Sequence, residues 1–174
     1  KELLTGTDRV AEASENLNYD IFVNVQGDEP LVNPMDIKKA IDLKIRFPNS
    51  ILNSYYQIGE NENPINKNIP KVIFNENQDM IYISRALIPG SKDNTNNYTY
   101  HKQICIYSYN KNQLSQFKSF GRKSEIEKVE DIEILRFFEL GINIKMFKAS
   151  KSSLAVDIPS DVKAVENELF LLKN

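Results

Sequence analysis

The sequence predicts an α/β protein built on one open, largely parallel sheet. Three observations lead there. Short β-branched runs alternate with amphipathic helical stretches along the chain. Two segments, Val23–Leu31 and Ala155–Asp161, each read as a buried strand that ends on an aspartate and turns sharply toward a helix. The 174 residues, 41% of them hydrophobic, suffice for one core and show no internal repeat or linker, so a single domain covering 1–174 is expected.

Taken in order, Thr5-Gly-Thr-Asp-Arg9 opens a short helix, where its hydroxyls and amides either cap Val10–Glu15 or cradle an anion. Asp20–Val25 is a short apolar run that reads as a buried parallel strand. Asn33 caps a helix over Pro34–Phe47, with Pro34 first and Asp36 in the opening turn; Ile37, Ala40, Ile41 and Ile45 mark its buried face. Ile51–Ile58 is a strand and Gly59–Asn68 a polar loop. Val72–Phe74 and Met80–Ile83 flank residues 75–79 as a hairpin with a longer turn. An Asn-rich loop, Ser91–Thr99, precedes a strand over Gln103–Tyr109. Ser124 with Glu127 forms a capping box, and one helix is expected from there to Leu140, stopped by Gly141. A strand over Ile142–Phe147 and an amphipathic helix from Ser160 to Leu172 complete the chain.

Lys+Arg 22 against Asp+Glu 24 leaves a formal charge of −2, so no global field calls for nucleic acid or an anionic membrane. No apolar run approaches the ~20 residues of a membrane span, and the opening residues lack a signal-peptide pattern. One cysteine, Cys105, excludes an intrachain disulfide and makes the cytoplasm the default setting.

Candidate chemistry gathers at strand ends. In Val23-Asn-Val-Gln-Gly-Asp-Glu-Pro-Leu31 the backbone turns at Gly27 and offers Asp28 to the crevice where open α/β sheets bind ligands. A surface Asp–Gly turn is the alternative. Asp157 precedes Ile158-Pro159, and Asp161 can serve the following helix end, leaving Asp157 available for a cation. Ser84-Arg85 ends an apolar strand, and a guanidinium there suits a carboxylate or phosphate. At about 100° per residue, Glu130 and Glu133 share an arc with Ile126, Val129, Phe137 and Leu140, where carboxylates must be partnered or functional. His101 reads as a surface loop residue and Cys105 as core.

These segments together, Val23–Leu31, Ala155–Asp161, Thr5–Arg9 and Ile83–Pro89, resemble the CMP-Kdo synthetases, cytidylyltransferases that activate an eight-carbon acid sugar of lipopolysaccharide. The resemblance implies a Rossmann-like nucleotidyltransferase fold with a mostly parallel mixed sheet. It implies Mg2+ held by Asp28 and Asp157, and CTP and Kdo as substrates. Thr5, Thr7 and Asp8 are implied to line the nucleotide pocket, and Gln26, Arg85, Tyr107 and Glu133 to lie on the substrate side. It also implies a homodimer formed through the region of Ile81–Pro89 and Gln103–Tyr109. Gln103 stands where many members of the family carry histidine, and Ile134 where glutamine is common, which keeps sialic acid and amino-Kdo sugars as alternative substrates. The family's first strand and basic, glycine-containing triphosphate loop would lie ahead of Thr5. The chain is thus expected to represent the C-terminal two-thirds of such an enzyme and to be inactive alone.

Overall fold

The computed structural model describes residues 4–60, 62–93, 98–153, 156 and 159–173; for 160, 164 and 171–173 it describes only the backbone. The elements run α1 (Gly6–Glu15), β1 (Ile21–Val25), α2 (Pro34–Arg46), β2 (Ile51–Gln57), β3 (Lys71–Phe74), β4 (Met80–Ser84), β5 (His101–Asn110), α3 (Lys111–Phe120), α4 (Glu125–Glu130), α5 (Ile134–Glu139), β6 (Ile144–Lys148) and α6 (Pro159–Lys173). Among the described residues no helix is long and apolar enough to cross a membrane.

The six strands form one mixed sheet in the order β4-β3-β5-β2-β6, with β1 attached to β5. The expected parallel pairing is corrected by the ladders. Among the described residues only β2 and β6 pair in parallel; β1–β5, β2–β5, β3–β5 and β3–β4 are antiparallel. The reason is β5, which runs against β1, β2 and β3 and lies between them. Most strands still point one way, but their neighbours across the hydrogen bonds do not.

One consequence positions the site. β2 occupies one edge of β5 from His101 to Ser108. β1 and β3 must therefore share the other edge, β1 along Ile106–Asn110 and β3 at Lys102 alone. Between them single backbone bonds reach β5 on that side, from the Gln103 N–H to the Pro70 carbonyl and from the Gln26 N–H to the Cys105 carbonyl, and this break in the ladder floors a cleft.

Side-chain alternation along β5 divides the core into two layers. Tyr107 and Tyr109 join Ala11, Phe117 and Phe137 on the face covered by α1, α3 and α5. Ile104 and Ile106 join Ala40, Leu52 and Phe147 on the face covered by α2. Helix α2 starts as predicted, with Asn33 accepting the Met35 N–H and Pro34 in the first turn. Helix α3 has no counterpart in the sequence reading, although Asn110 and Gln113 form a full capping box and Gly121 closes it with φ 73°.

The single helix expected over Ser124–Leu140 is two short ones. Asp131 adopts φ 51°, a left-handed conformation that aspartate tolerates, and breaks the chain between α4 and α5. The break lets Glu130 and Glu133 face different partners. His101 is also corrected. It opens β5 half-buried, edge-on to Tyr55 at 5.2 Å, and burial lowers its pKa.

Candidate active site

The cleft has a volume of about 660 Å³ and opens where β1 ends and β3 begins. Its floor is β5 from Lys102 to Cys105, with Tyr107; one wall is the turn after β1, and the other is the Asp131–Glu133 segment.

Asp28 lies at the exposed rim, and its carboxylate has no hydrogen bond or ion pair among the described residues. That is the state in which a hard carboxylate oxygen can accept a divalent cation. Asp157 falls outside the described residues. The Val156 N–H donates to the Asp28 carbonyl at 2.8 Å, which ties the segment before α6 to the β1 turn. Asp161 lines the same cleft. No group of three or more metal-ligating side chains occurs among the described residues. Magnesium does not require one, because phosphate oxygens and water complete its shell around one or two carboxylates.

Glu133 organises the inner wall. Its Oε2 accepts the Thr7 N–H at 2.7 Å and its Oε1 accepts Gln26 Nε2 at 2.8 Å. This carboxylate therefore fixes the start of α1 against the end of β1. Glu130 is fully occupied elsewhere, accepting Ser84 Oγ at 2.6 Å and the Arg85 N–H at 2.8 Å. Tyr107 is buried, and burial pushes its hydroxyl pKa well up, with the charges of Cys105 and Glu133 adding to the effect. The phenol thus stays neutral, a donor set against the Cys105 thiol in the cleft floor. The Cys105 thiol is likewise pushed well up by burial and then by Glu29, which makes it unreactive.

Three expected nucleotide contacts sit differently. Thr5 is the N-cap of α1, accepting the Asp8 N–H at 3.2 Å and donating to Asp8 Oδ2 at 2.9 Å. Thr7 is buried with its hydroxyl 3.2 Å from the Tyr109 hydroxyl. The Asp8 carboxylate is committed within the protein: it pairs with buried Arg136 at 2.9 Å, and Arg136 also forks onto Glu127 with both nitrogen–oxygen distances at 2.7 Å. None of the three lines the cleft. Arg85 does, but its guanidinium donates to the Glu130, Lys67 and Asp131 carbonyls, which occupies three of its five N–H groups.

Two cleft residues escaped the sequence reading. Lys102 is buried in the floor and donates to Glu62 at 2.5 Å and to the Ser153 carbonyl at 3.3 Å. Glu29 is buried beside Asp28 and accepts the Cys105 N–H at 2.8 Å. Lys102 stands just ahead of the strand expected over Gln103–Tyr109, between His101 and Gln103, so no local signal marks it. Nothing in the local sequence separates Glu29 from a surface turn residue.

An open mixed sheet with a cleft at the end of its first strand places this chain among α/β proteins whose strand ends form the binding crevice. Residues 1–146 match the cytidylyltransferase family model, and the chain belongs to that family. It is 34% identical over 166 residues to the 3-deoxy-manno-octulosonate cytidylyltransferase of Christiangramia forsetii, covering 94% of this chain and 66% of that protein. It is 35% identical over 172 residues to the 8-amino-3,8-dideoxy-manno-octulosonate cytidylyltransferase of Shewanella woodyi, covering 95% and 69%. Among solved structures, the CMP:2-keto-3-deoxy-manno-octonic acid synthetase complexed with CTP superposes with a TM-score of 0.86 at 29% identity, covering 96% of this chain and 68% of that one. The Thermotoga maritima inositol-1-phosphate CTP transferase, at 18% identity and a TM-score of 0.63, shares the fold. The chain spans 66% of the Christiangramia protein and 62% of its Koribacter versatilis relative.

Proposed function

We propose that the full-length protein transfers CMP from CTP to the acid sugar Kdo, giving CMP-Kdo and pyrophosphate. The observation that carries this is the unpaired Asp28 carboxylate at the rim of a cleft built by segments that match Kdo cytidylyltransferases throughout. The anomeric hydroxyl of the sugar attacks the α-phosphorus, and the bond to the β-phosphate oxygen breaks. Asp28, with Asp157 as its proposed companion, would hold Mg2+, which neutralises charge growing on the phosphate when it is bound. Positioning supplies much of the remaining acceleration. Glu133 contributes by fixing Thr7 and Gln26, and Tyr107 by holding a neutral donor in the floor.

A second reading concerns the sugar. Six carboxylates and two basic side chains line the cleft among the described residues, an excess that favours a substrate carrying an ammonium group. The Shewanella relative acts by name on such an amino sugar. We also propose a homodimer in the cytoplasm. The apolar side chains exposed on and beside edge strand β4, Ile81, Val129 and Phe138, support an interface there.

The test is pyrophosphate release by the full-length protein with CTP and Mg2+, comparing Kdo, its 8-amino relative and sialic acid by kcat/KM. Turnover of Kdo or the amino sugar well above sialic acid is expected. Inertness toward both, or a preference for sialic acid, refutes the assignment.

A further inference from the structure

The gap in the sheet has a plug. The Cys105 N–H points into the space between β1 and β3, and Glu29 Oε1 accepts it in place of a neighbouring strand. A plug needs one acceptor, and a neutral amide would serve. Glu29 instead carries a second, charged oxygen: Oε2 is buried, belongs to a residue only 6% exposed that lines the cleft, and has no hydrogen-bond partner. Leaving a buried charged acceptor unmade is costly, and such groups are found paired. The neighbouring Cys105 thiol, a weak donor, interacts with the Glu29 carboxylate but makes no bond to Oε2 of full hydrogen-bond geometry. Ser153 repeats the pattern in the same cleft, 6% exposed with its hydroxyl unpartnered, while its carbonyl is held by Lys102.

We propose that Glu29 is a sugar-binding residue whose Oε2 receives a hydrogen-bond donor of the acid sugar, a hydroxyl or an ammonium, with Ser153 Oγ as a second polar contact. The inference rests on the proposed acid-sugar activity and assigns part of its specificity. The ligand completes a polar pair that the fold leaves half made. Its binding is therefore favoured by relief of the unpaired oxygen as well as by the new bond.

The decisive variant is Glu29→Gln in the full-length protein. Its amide oxygen can keep the Cys105 N–H, while its NH2 group replaces Oε2 and sets donor against donor. The kcat/KM for the sugar is expected to fall roughly 10- to 150-fold, the range for a lost hydrogen bond to a charged group, with KM for CTP and the Mg2+ dependence unchanged. A larger fall with the 8-amino sugar than with Kdo identifies the ammonium as the donor; equal falls identify a hydroxyl common to both. A sugar kcat/KM within threefold of wild type, or a loss confined to CTP or Mg2+, overturns the role of Glu29 alone. A wild-type protein inert toward both sugars overturns the proposed activity and this inference with it. If the variant melts early, wild type with single-deoxy sugar analogues decides. At least one analogue should lose tenfold or more, and none losing more than threefold overturns the proposal.

Discussion

Arg136→Met tests how α1 is held over the site. Arg136 is 0% exposed, forks onto Glu127 and reaches Asp8, and its guanidinium lies 3.7 Å from the centroid of the Phe117 ring. Methionine fills similar volume but leaves two carboxylates unpaired, of which Glu127 is fully buried. Breaking a buried pair in this way costs about 3–5 kcal/mol. In a domain of this size each kcal/mol moves Tm by about 2–4 °C, so a fall of about 6–20 °C is expected. The assay is thermal and urea unfolding followed by circular dichroism. Adding Asp8→Asn and Glu127→Gln to the variant should recover much of the loss, because the stranded charges are then gone. Asp8 is next to Thr7, whose amide Glu133 holds, so Arg136→Met should also raise KM for the sugar. A loss below about 1 kcal/mol, or no recovery in the triple variant, would refute the claim that charge pairing, rather than packing, anchors this helix.

Asp28→Asn should lower kcat by at least about 100-fold, the scale of removing one electrostatic contact to the transition state, with little change in the sugar KM; unchanged kcat in a pyrophosphate-release assay removes Asp28 from the cation site. EDTA should abolish turnover and Mg2+ restore it, whereas full activity in chelator would contradict metal assistance. Burial lowers the Lys44 pKa to about 8 while the ammonium donates to Pro48, Ser50 and Gln113. Between about pH 8 and the unfolded value near 10.5 the unfolded chain binds the extra proton, so the Lys44 contribution to stability rises with pH there and is lost as pH falls through 8. Urea midpoints at pH 7.5 and 9.5 should show that rise in wild type relative to Lys44→Met; parallel profiles would contradict it. The full-length protein should sediment as a dimer at micromolar concentration and shift toward monomer on Ile81→Glu, and a wild-type monomer would count against the β4 interface.

Local signals were sufficient for most elements. The cap at Asn33 followed by Pro34 and the apolar runs around 51–58 and 103–109 report backbone preference, which acts over a few residues. The face expected from Ile37, Ala40, Ile41 and Ile45 is corrected: Ala40 is buried with Asp36 and Lys44, and Ile41 and Ile45 are exposed. The turn Gly27-Asp28 at the end of β1 was legible for the same reason. The capping box at Asn110 was equally local and went unused. The two-helix break depended on Asp131 accepting a left-handed backbone, a choice that sequence periodicity does not record.

The sequence by itself therefore determined most of the elements, the family and the Asp28 turn, but neither α3 nor the break between α4 and α5. Only the tertiary structure decided which strand lies beside which, and with it the gap in β5 that floors the cleft. It also decided which carboxylates are committed: Asp8 to Arg136 across 128 residues, Glu133 to Thr7 across 126, and Glu29 to Cys105 across 76. The physical reason is range. Caps and periodicity act within about one helical turn, whereas the partner of a buried charge is set by whatever the folded chain brings to it, under the rule that such charges must be paired.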